Sequence, residues 1–301
     1  MENRLIFIFL DGVGLGRKTD SNPFLRASTP TLVNLFGGKL FDTTNILEQN
    51  ILVKGIDACL GVEGVPQSAT GQTCLFTGFN AQAILGHHLM AYPNNELISL
   101  INQRSIFKYA KEKQVNSIFA NSYTDGFFNS FNQDLSSYSV TTHCVLAAQI
   151  KFNSINDLLK NKAVHWDITN STLQNISNRV PVISPFEAGQ NLRNLANDYR
   201  LVLYECFLPD LIGHKMDMKK SISFLEMFDE FLSGVIIDKS TNVNVLISSD
   251  HGNIEDLSTG GHTKNPVPLI VIGNLADDFA GVNSIDEIFN AIFLNAFKIN
   301  D

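Results

Sequence analysis

The chain has no run of about 18 apolar residues, so nothing in its 301 residues reads as a membrane span. The first apolar run, Leu5 to Leu10, is too short for a secretory leader and ends on Asp11 instead of a small-residue cleavage site. Positive charge is also scarce. There are 22 Lys and Arg against 30 Asp and Glu, and the most basic spots, Arg17-Lys18 and Lys219-Lys220, are only dipeptides. A net charge of -8 without a basic run argues against a nucleic-acid partner. An acidic protein that handles phosphate needs positive charge from elsewhere, and metal ions can supply it. The four cysteines, Cys59, Cys74, Cys144 and Cys206, form no CxxC pair and have no metal-finger spacing. They fit buried thiols in a reducing compartment, and the expectation is a soluble cytoplasmic protein. Repeats and low-complexity tracts are absent.

The composition is that of a globular protein with a sizeable core, 44% hydrophobic and 17% charged. Several short apolar runs end abruptly in polar residues or glycine. They are Leu5 to Leu10, Val115 to Ala120, Leu201 to Leu208, Val243 to Ser248 and Pro268 to Ile272. Such runs predict strands buried on both faces, as in a mostly parallel sheet. Helical patterns lie between them: one over Leu97 to Lys113, one opening at Ser184-Pro185-Phe186-Glu187, one over Ser221 to Ile237, and one opening at Ser284-Ile285-Asp286-Glu287. Both openings carry the spacing of a capping box. The alternation predicts a doubly wound α/β fold in a single domain spanning residues 1–301. Residues 123–182, from Tyr123 to Val182, are rich in Ser and Asn and hold the only tryptophan, Trp166. They read as a small cap or as long loops.

Five motifs carry chemistry. Asp11-Gly12 follows the first predicted strand, and the carboxyl ends of strands are where open α/β sheets bind ligands. The glycine spacing here imitates a phosphate loop, but Arg17 occupies the position where both the dinucleotide fingerprint and the Walker loop need glycine. Asp210-Leu-Ile-Gly-His214 puts a carboxylate and an imidazole four residues apart, on one face of a helical turn. Asp250-His251-Gly252-Asn253 follows another strand, and Gly252 would let the backbone bend so that both side chains reach one point. His262 follows two glycines and leads into the last strand. Gln67-Ser68-Ala69-Thr70-Gly71 opens a predicted short helix, offering a hydroxyl beside free backbone N–H groups. Each motif alone has an ordinary reading as a turn, a cap or a surface loop. Together they send Asp and His to the ends of separate strands, in a chain with seven histidines. Carboxylate and imidazole without thiolate suit Zn²⁺ or Mn²⁺, with Mg²⁺ less comfortable. His87-His88 and His165-Trp166-Asp167 read as surface or structural residues.

In this order, the motifs Asp11-Gly12, Asp210-x-x-Gly-His214, Asp250-His251-Gly252-Asn253 and His262-Thr263-x-Asn265-x-Val267-Pro268 resemble the alkaline-phosphatase superfamily. The nearest likeness is to the catalytic core of cofactor-independent phosphoglycerate mutases. The resemblance covers about residues 1–80 and 200–275. It implies two divalent ions: one held by Asp210, His214 and His262, the other by Asp11, Asp250, His251 and the Ser68 oxygen. It also implies that Ser68 is the nucleophile of a phosphoserine pathway, with Thr70 the alternative. The family has His directly after its glycine, whereas this chain has Gln72. The mutases carry a large cap, and here only 123–182 is left for one. The expectation is therefore a phosphatase or phosphodiesterase acting on a small phosphorylated substrate. Alternatives are an isomerising mutase or, in another class, a non-catalytic binding protein on the same fold. Ser68-Ala-Thr-Gly lacks the x-Pro-x-Arg that sulfatases need, and the sequence sets no oligomeric state.

Overall fold

The computed structural model describes residues 2–130, 137–176, 178–237 and 242–299. A seven-stranded sheet is built from β1 (Arg4–Leu10), β2 (Ile46–Glu48), β3 (Ile51–Ile56), β4 (Ser117–Phe119), β7 (Leu201–Cys206), β8 (Val243–Ser248) and β9 (Val267–Ile272). Its order is β2-β3-β9-β8-β1-β7-β4, and β5 (Ser122–Tyr123) pairs with β6 (Asn153–Ser154) in a separate ribbon. The two-residue period of a strand explains why the sheet is apolar on both sides. Leu5, Phe7 and Phe9 of β1 enter one core, whereas Ile6, Ile8 and Leu10 enter the other. β7 divides in the same way, with Leu201 and Leu203 on one face and Val202, Tyr204 and Cys206 on the opposite one. Helices cover both faces, giving the α/β architecture that the sequence predicts.

The sheet is parallel through β4, β7, β1 and β8, then turns antiparallel at β9, β3 and β2. This edge decides where the functional groups meet. Asp11, Asp210 and Asp250 all follow the carboxyl ends of parallel strands. His262 instead precedes its strand, so it reaches the same edge only because β9 runs the other way. β3 is absent from the sequence reading because Lys54-Gly55 interrupts its apolar pattern. It runs antiparallel to β9, with Ile56 opposite Val267, and so delivers the chain towards Ser68 at that edge. The turn joining β2 to β3 uses Asn50 in the left-handed region, at φ 66°, which Asn tolerates better than most residues.

Two helical expectations need correcting. The pattern over Leu97 to Lys113 forms two helices, Asn95–Gln103 and Ile106–Glu112. They part at Arg104, whose Nε donates to Thr77 O at 2.8 Å and whose guanidinium lies 4.3 Å from the Phe79 ring centre. The Ser284 motif makes no capping box: Ser284 Oγ donates to Asp286 Oδ1, and the helix starts later, at Glu287. At the Ser184 opening, Ser184 Oγ does accept from Glu187 N, at 3.1 Å, and the helix is Pro185–Leu195. In the segment 123–182, residues 131–136 and 177 lie outside the described residues. Its helix Val140–Ala148 buries Val140, Cys144 and Val145 in the main core, whereas Ile155, Leu158, Ala163, Leu173 and Val180 form a small separate cluster.

Candidate metal centre

The site grows from the carboxyl edge of the sheet. Leaving β1, Asp11 N donates to Cys206 O of the neighbouring strand, which fixes where its carboxylate emerges. Gly12 then turns with φ 73°, and a Cβ there would strike Asp210. Past β8, Asp250 and His251 are both fully buried. His251 Nε2 lies 3.3 Å from Asp11 Oδ1, 3.5 Å from Asp250 Oδ2 and 3.0 Å from Ser68 Oγ. One imidazole nitrogen thus stands where the two carboxylates and the serine converge. Gly252 contributes by close approach and not by a left-handed bend, because a Cβ there would collide with Glu255 and Thr263.

Beside this group lies another. Asp210 and His214 sit on and just after the short helix Leu208–Gly213. Asp210 Oδ2 is 3.3 Å from His214 Nε2, and its Oδ1 is 3.4 Å from His262 Nε2. The structure therefore brings together every expected Asp and His. Each of two sets, Asp11–Asp250–His251 and Asp210–His251–His262, offers ligand atoms within 4.8 Å of one another. His251 stands between the sets, its ring stacked on His262 with centroids 3.7 Å apart.

The donor arrangement fits divalent cations. His214 Nδ1 contacts Gly260 O at 2.8 Å, and His262 Nδ1 contacts Pro66 O at 3.0 Å. A carbonyl can only accept, so each Nδ1 donates a proton, and each Nε2 is the ring atom turned towards Asp210 and open to a cation. Those two Nε2 atoms also lie 3.2 Å from one another, a convergence that suits a shared cation. Asp11 Oδ1 is buried with no hydrogen-bond donor. Burial, and then the Asp250 charge, push the Asp11 carboxyl up to about 8. Burial alone would lower His251, but Asp250 and Asp11 outweigh it and raise the imidazole to about 10. Burial would raise Asp210, but hydrogen bonding from His262, the His251 charge and Asn253 bring it down to about 2.

Ser68 opens the helix Ser68–Thr77 and lines a cavity of about 480 Å³ above the carboxylates. Thr70 points elsewhere, its Oγ1 buried against Gln67 O at 3.2 Å. His87 and His88 diverge to separate backbone carbonyls, Leu85 O and Val62 O. His165 bonds Ser122 Oγ at 3.1 Å and stays outside the cluster, while Trp166 beside it lines the cavity. Asp167 accepts from Asn170 N and Thr172 N and so shapes its own loop.

A family model for the metalloenzyme superfamily matches residues 3–292. The chain belongs to that superfamily. Among curated relatives of this metalloenzyme, the 2,3-bisphosphoglycerate-independent phosphoglycerate mutase of Acetivibrio thermocellus is 37% identical over 103 residues, covering 31% of this chain and 20% of the mutase. The mutase of Thiobacillus denitrificans is 30% identical over 118 residues, covering 36% of this chain and 23% of the mutase. The matches thus span about a fifth of the length of these relatives. In fold, the metalloenzyme is similar to alkaline phosphatase from the Antarctic bacterium TAB5, with TM-score 0.55, 16% identity and full coverage of both chains. It is also similar to Leishmania mexicana phosphoglycerate mutase, with TM-score 0.51, 11% identity and coverage of 99% and 96%.

Three supporting residues escape motif reading. Gln72, where the resembled mutases have His, donates from Nε2 to Asp250 Oδ2 at 3.0 Å and to Asp11 Oδ2 at 3.4 Å, bridging the two carboxylates. Glu255 is fully buried and accepts from Gly14 N, Asn253 N, Thr263 Oγ1 and Asn265 Nδ2. Glu205, an isolated acid in the apolar β7, takes a 2.6 Å hydrogen bond from Thr141 on one oxygen and has no partner on the other. Burial, with Asp11 and Asp250 adding to it, raises its carboxyl well above the usual range. A charge inside an otherwise apolar strand is the one sequence signal that could have found it.

Proposed function

We propose that this metalloenzyme is a two-metal phosphate-ester hydrolase working through a phosphoserine on Ser68. The observation that carries the reading is Ser68 Oγ standing 3.0 Å from His251 Nε2, on the floor of an open cavity and amid the clustered carboxylates. Asp210, His214 and His262 would hold one divalent ion, and Asp11, Asp250, His251 and Ser68 Oγ the other; Zn²⁺ or Mn²⁺ suits this oxygen and nitrogen set best. When bound, the ions supply positive charge that stabilises the phosphoryl oxygens and favours the deprotonated serine.

The chain's own residues do the positioning. Gln67, the residue before the helix, makes no side-chain cap, so the N–H groups of Ser68 and Ala69 remain available to an anion, whereas Thr70 N donates to Leu89 O. Ser68 Oγ attacks phosphorus as the bond to the alcohol oxygen breaks, and the alcohol departs with the serine proton. Water then cleaves the Oγ–P bond, releasing phosphate and restoring the hydroxyl. Gln72 holds Asp11 and Asp250 side by side.

Hydrolysis is favoured over isomerisation by the cavity lining, which among the described residues contains no Lys or Arg to retain a phosphorylated acid while it reorients. The four free cysteines suit a reducing cytoplasm, and no helix among the described residues is long and apolar enough to cross a membrane. The test is turnover of 4-nitrophenyl phosphate and its bis-ester by protein stripped of metal and reloaded with Zn²⁺ or Mn²⁺. Loaded protein should release nitrophenol, and Ser68→Ala should lower kcat by about a thousandfold or more, with Asp250→Asn also severely impaired. Interconversion of phosphoglycerates without phosphate release would instead establish a mutase.

A further inference from the structure

Six of the fifteen described residues that line the cavity over Ser68 are aromatic: Tyr92, Tyr123, Phe127, Tyr138, Trp166 and Phe207. Aromatics make up only 10% of the chain, so this wall is strongly enriched. The wall is packed in place. Tyr123 and Phe127 have ring centroids 4.2 Å apart, and Trp166 rests 6.1 Å from Phe207. Tyr123 is further fixed by a 2.9 Å hydrogen bond between its hydroxyl and Thr142 Oγ1. The remaining polar groups above the floor are neutral, namely the hydroxyls of Ser137, Ser139 and Thr142. Among the described residues the only carboxylates lining the space are Asp11 and Asp210 at the bottom, and no Lys, Arg or His lines it.

A cavity of about 480 Å³ is of the size that takes small molecules. Flat aromatic walls favour flat rings by stacking, and neutral hydroxyls can hydrogen-bond to neutral polar substituents. A carboxylate or second phosphate on the leaving group would lose its hydration here without meeting a cation. From this geometry we propose that the substrate is a phosphate ester of an uncharged, ring-bearing alcohol, such as an aryl-methyl or nucleoside 5′-phosphate, and that anionic esters such as phosphoglycerates are disfavoured. The proposal rests on the reading of Ser68 and the metal centre as a phosphate-ester hydrolase. It adds the part of the substrate that this centre does not touch.

The test compares kcat/KM of the metal-loaded enzyme for benzyl phosphate, adenosine 5′-phosphate, glycerol 1-phosphate and 3-phosphoglycerate. All four are esters of primary alcohols, so differences in leaving-group acidity stay small. The ring-bearing esters should be preferred by about tenfold or more. Trp166→Ala should narrow that ratio, whereas Trp166→Phe should keep most of it. Equal or faster turnover of glycerol 1-phosphate or 3-phosphoglycerate, or a ratio unmoved by Trp166→Ala, would overturn the proposal. Trp166 is the only tryptophan, so intrinsic fluorescence reads this wall independently of catalysis. If no ester is turned over at all, the hydrolase reading fails. A saturable fluorescence change with benzyl phosphate but not with glycerol 1-phosphate would still support ring recognition, and no change with either would reject it.

Discussion

Glu255 gathers donors from the three loops that carry Asp11, Asp250 with His251, and His262. Its Oε2 accepts from Gly14 N and Asn253 N, each at 2.8 Å, and its Oε1 accepts from Thr263 Oγ1 and Asn265 Nδ2. A glutamine of the same shape would turn an NH₂ towards one pair of donors, leaving buried donors opposed. Glu255→Gln should therefore cost about 2–4 kcal/mol of stability and weaken metal binding about 10- to 100-fold. Thermal melts and metal titration would measure the two effects. Metal affinity unchanged in a folded variant would remove Glu255 from the site. The clustered Asp and His residues were legible because Asp and His recur in a fixed order after apolar runs. Ser68 and Thr70 were harder to separate by sequence, yet residues two apart on a helix face different ways, and only Ser68 faces the cluster. Glu255 and Gln72 carry no motif of their own, since their meaning depends on which loops the fold brings beside them.

At the level of elements, the helices Pro185–Leu195 and Met218–Val235 cross with almost no room between their backbones. A Cβ on Gly189 would collide with Phe231 O, and one on Gly234 would collide with Phe186 O. Gly189→Ala must push the helices apart and should cost about 1–3 kcal/mol or more, seen as a lower Tm with metal affinity retained. A loss of less than about 0.5 kcal/mol would show that the pair can slide. The helix Ile155–Leu158 is capped by Ser154, with Asp157 answering in a full capping box and bonded to Lys151 at 2.7 Å. Burial would raise Asp157, but the bonds from Lys151 and Ser154 outweigh it and hold the carboxyl near 2, below its ordinary 3.8. A depressed carboxyl stabilises the fold above its unfolded value and loses that contribution as the pH falls through its folded one. The stability gap between wild type and Asp157→Asn should thus be steady above about pH 4 and close towards pH 2 in denaturant titrations. A gap independent of pH would contradict the ion pair and cap. The core strands were legible as doubly buried apolar runs. β3 was not, because Lys54 and Gly55 break its pattern. The reversed direction of β9 was also hidden, since strand direction is set by the path of the chain and not by composition.

For the whole molecule, the metal centre joins segments that lie far apart in the chain, from Asp11 to His262, so cation binding should act as a cross-link on the fold. Ions that bind only the native state stabilise it by mass action, about 2.7 kcal/mol per site at a hundredfold excess over Kd. Chelation should accordingly lower Tm, and Zn²⁺ or Mn²⁺ should restore it. The buried, mutually repelling carboxylates Asp11 and Asp250 are groups that such binding would relieve. The most direct measurement is metal stoichiometry, by elemental analysis of protein equilibrated with Zn²⁺ or Mn²⁺ and freed of excess ion. A two-ion centre predicts two ions per chain in the wild type, with occupancy lost in Asp250→Asn and in His214→Ala. Protein that retains no ion, or binds one that neither substitution disturbs, would contradict it.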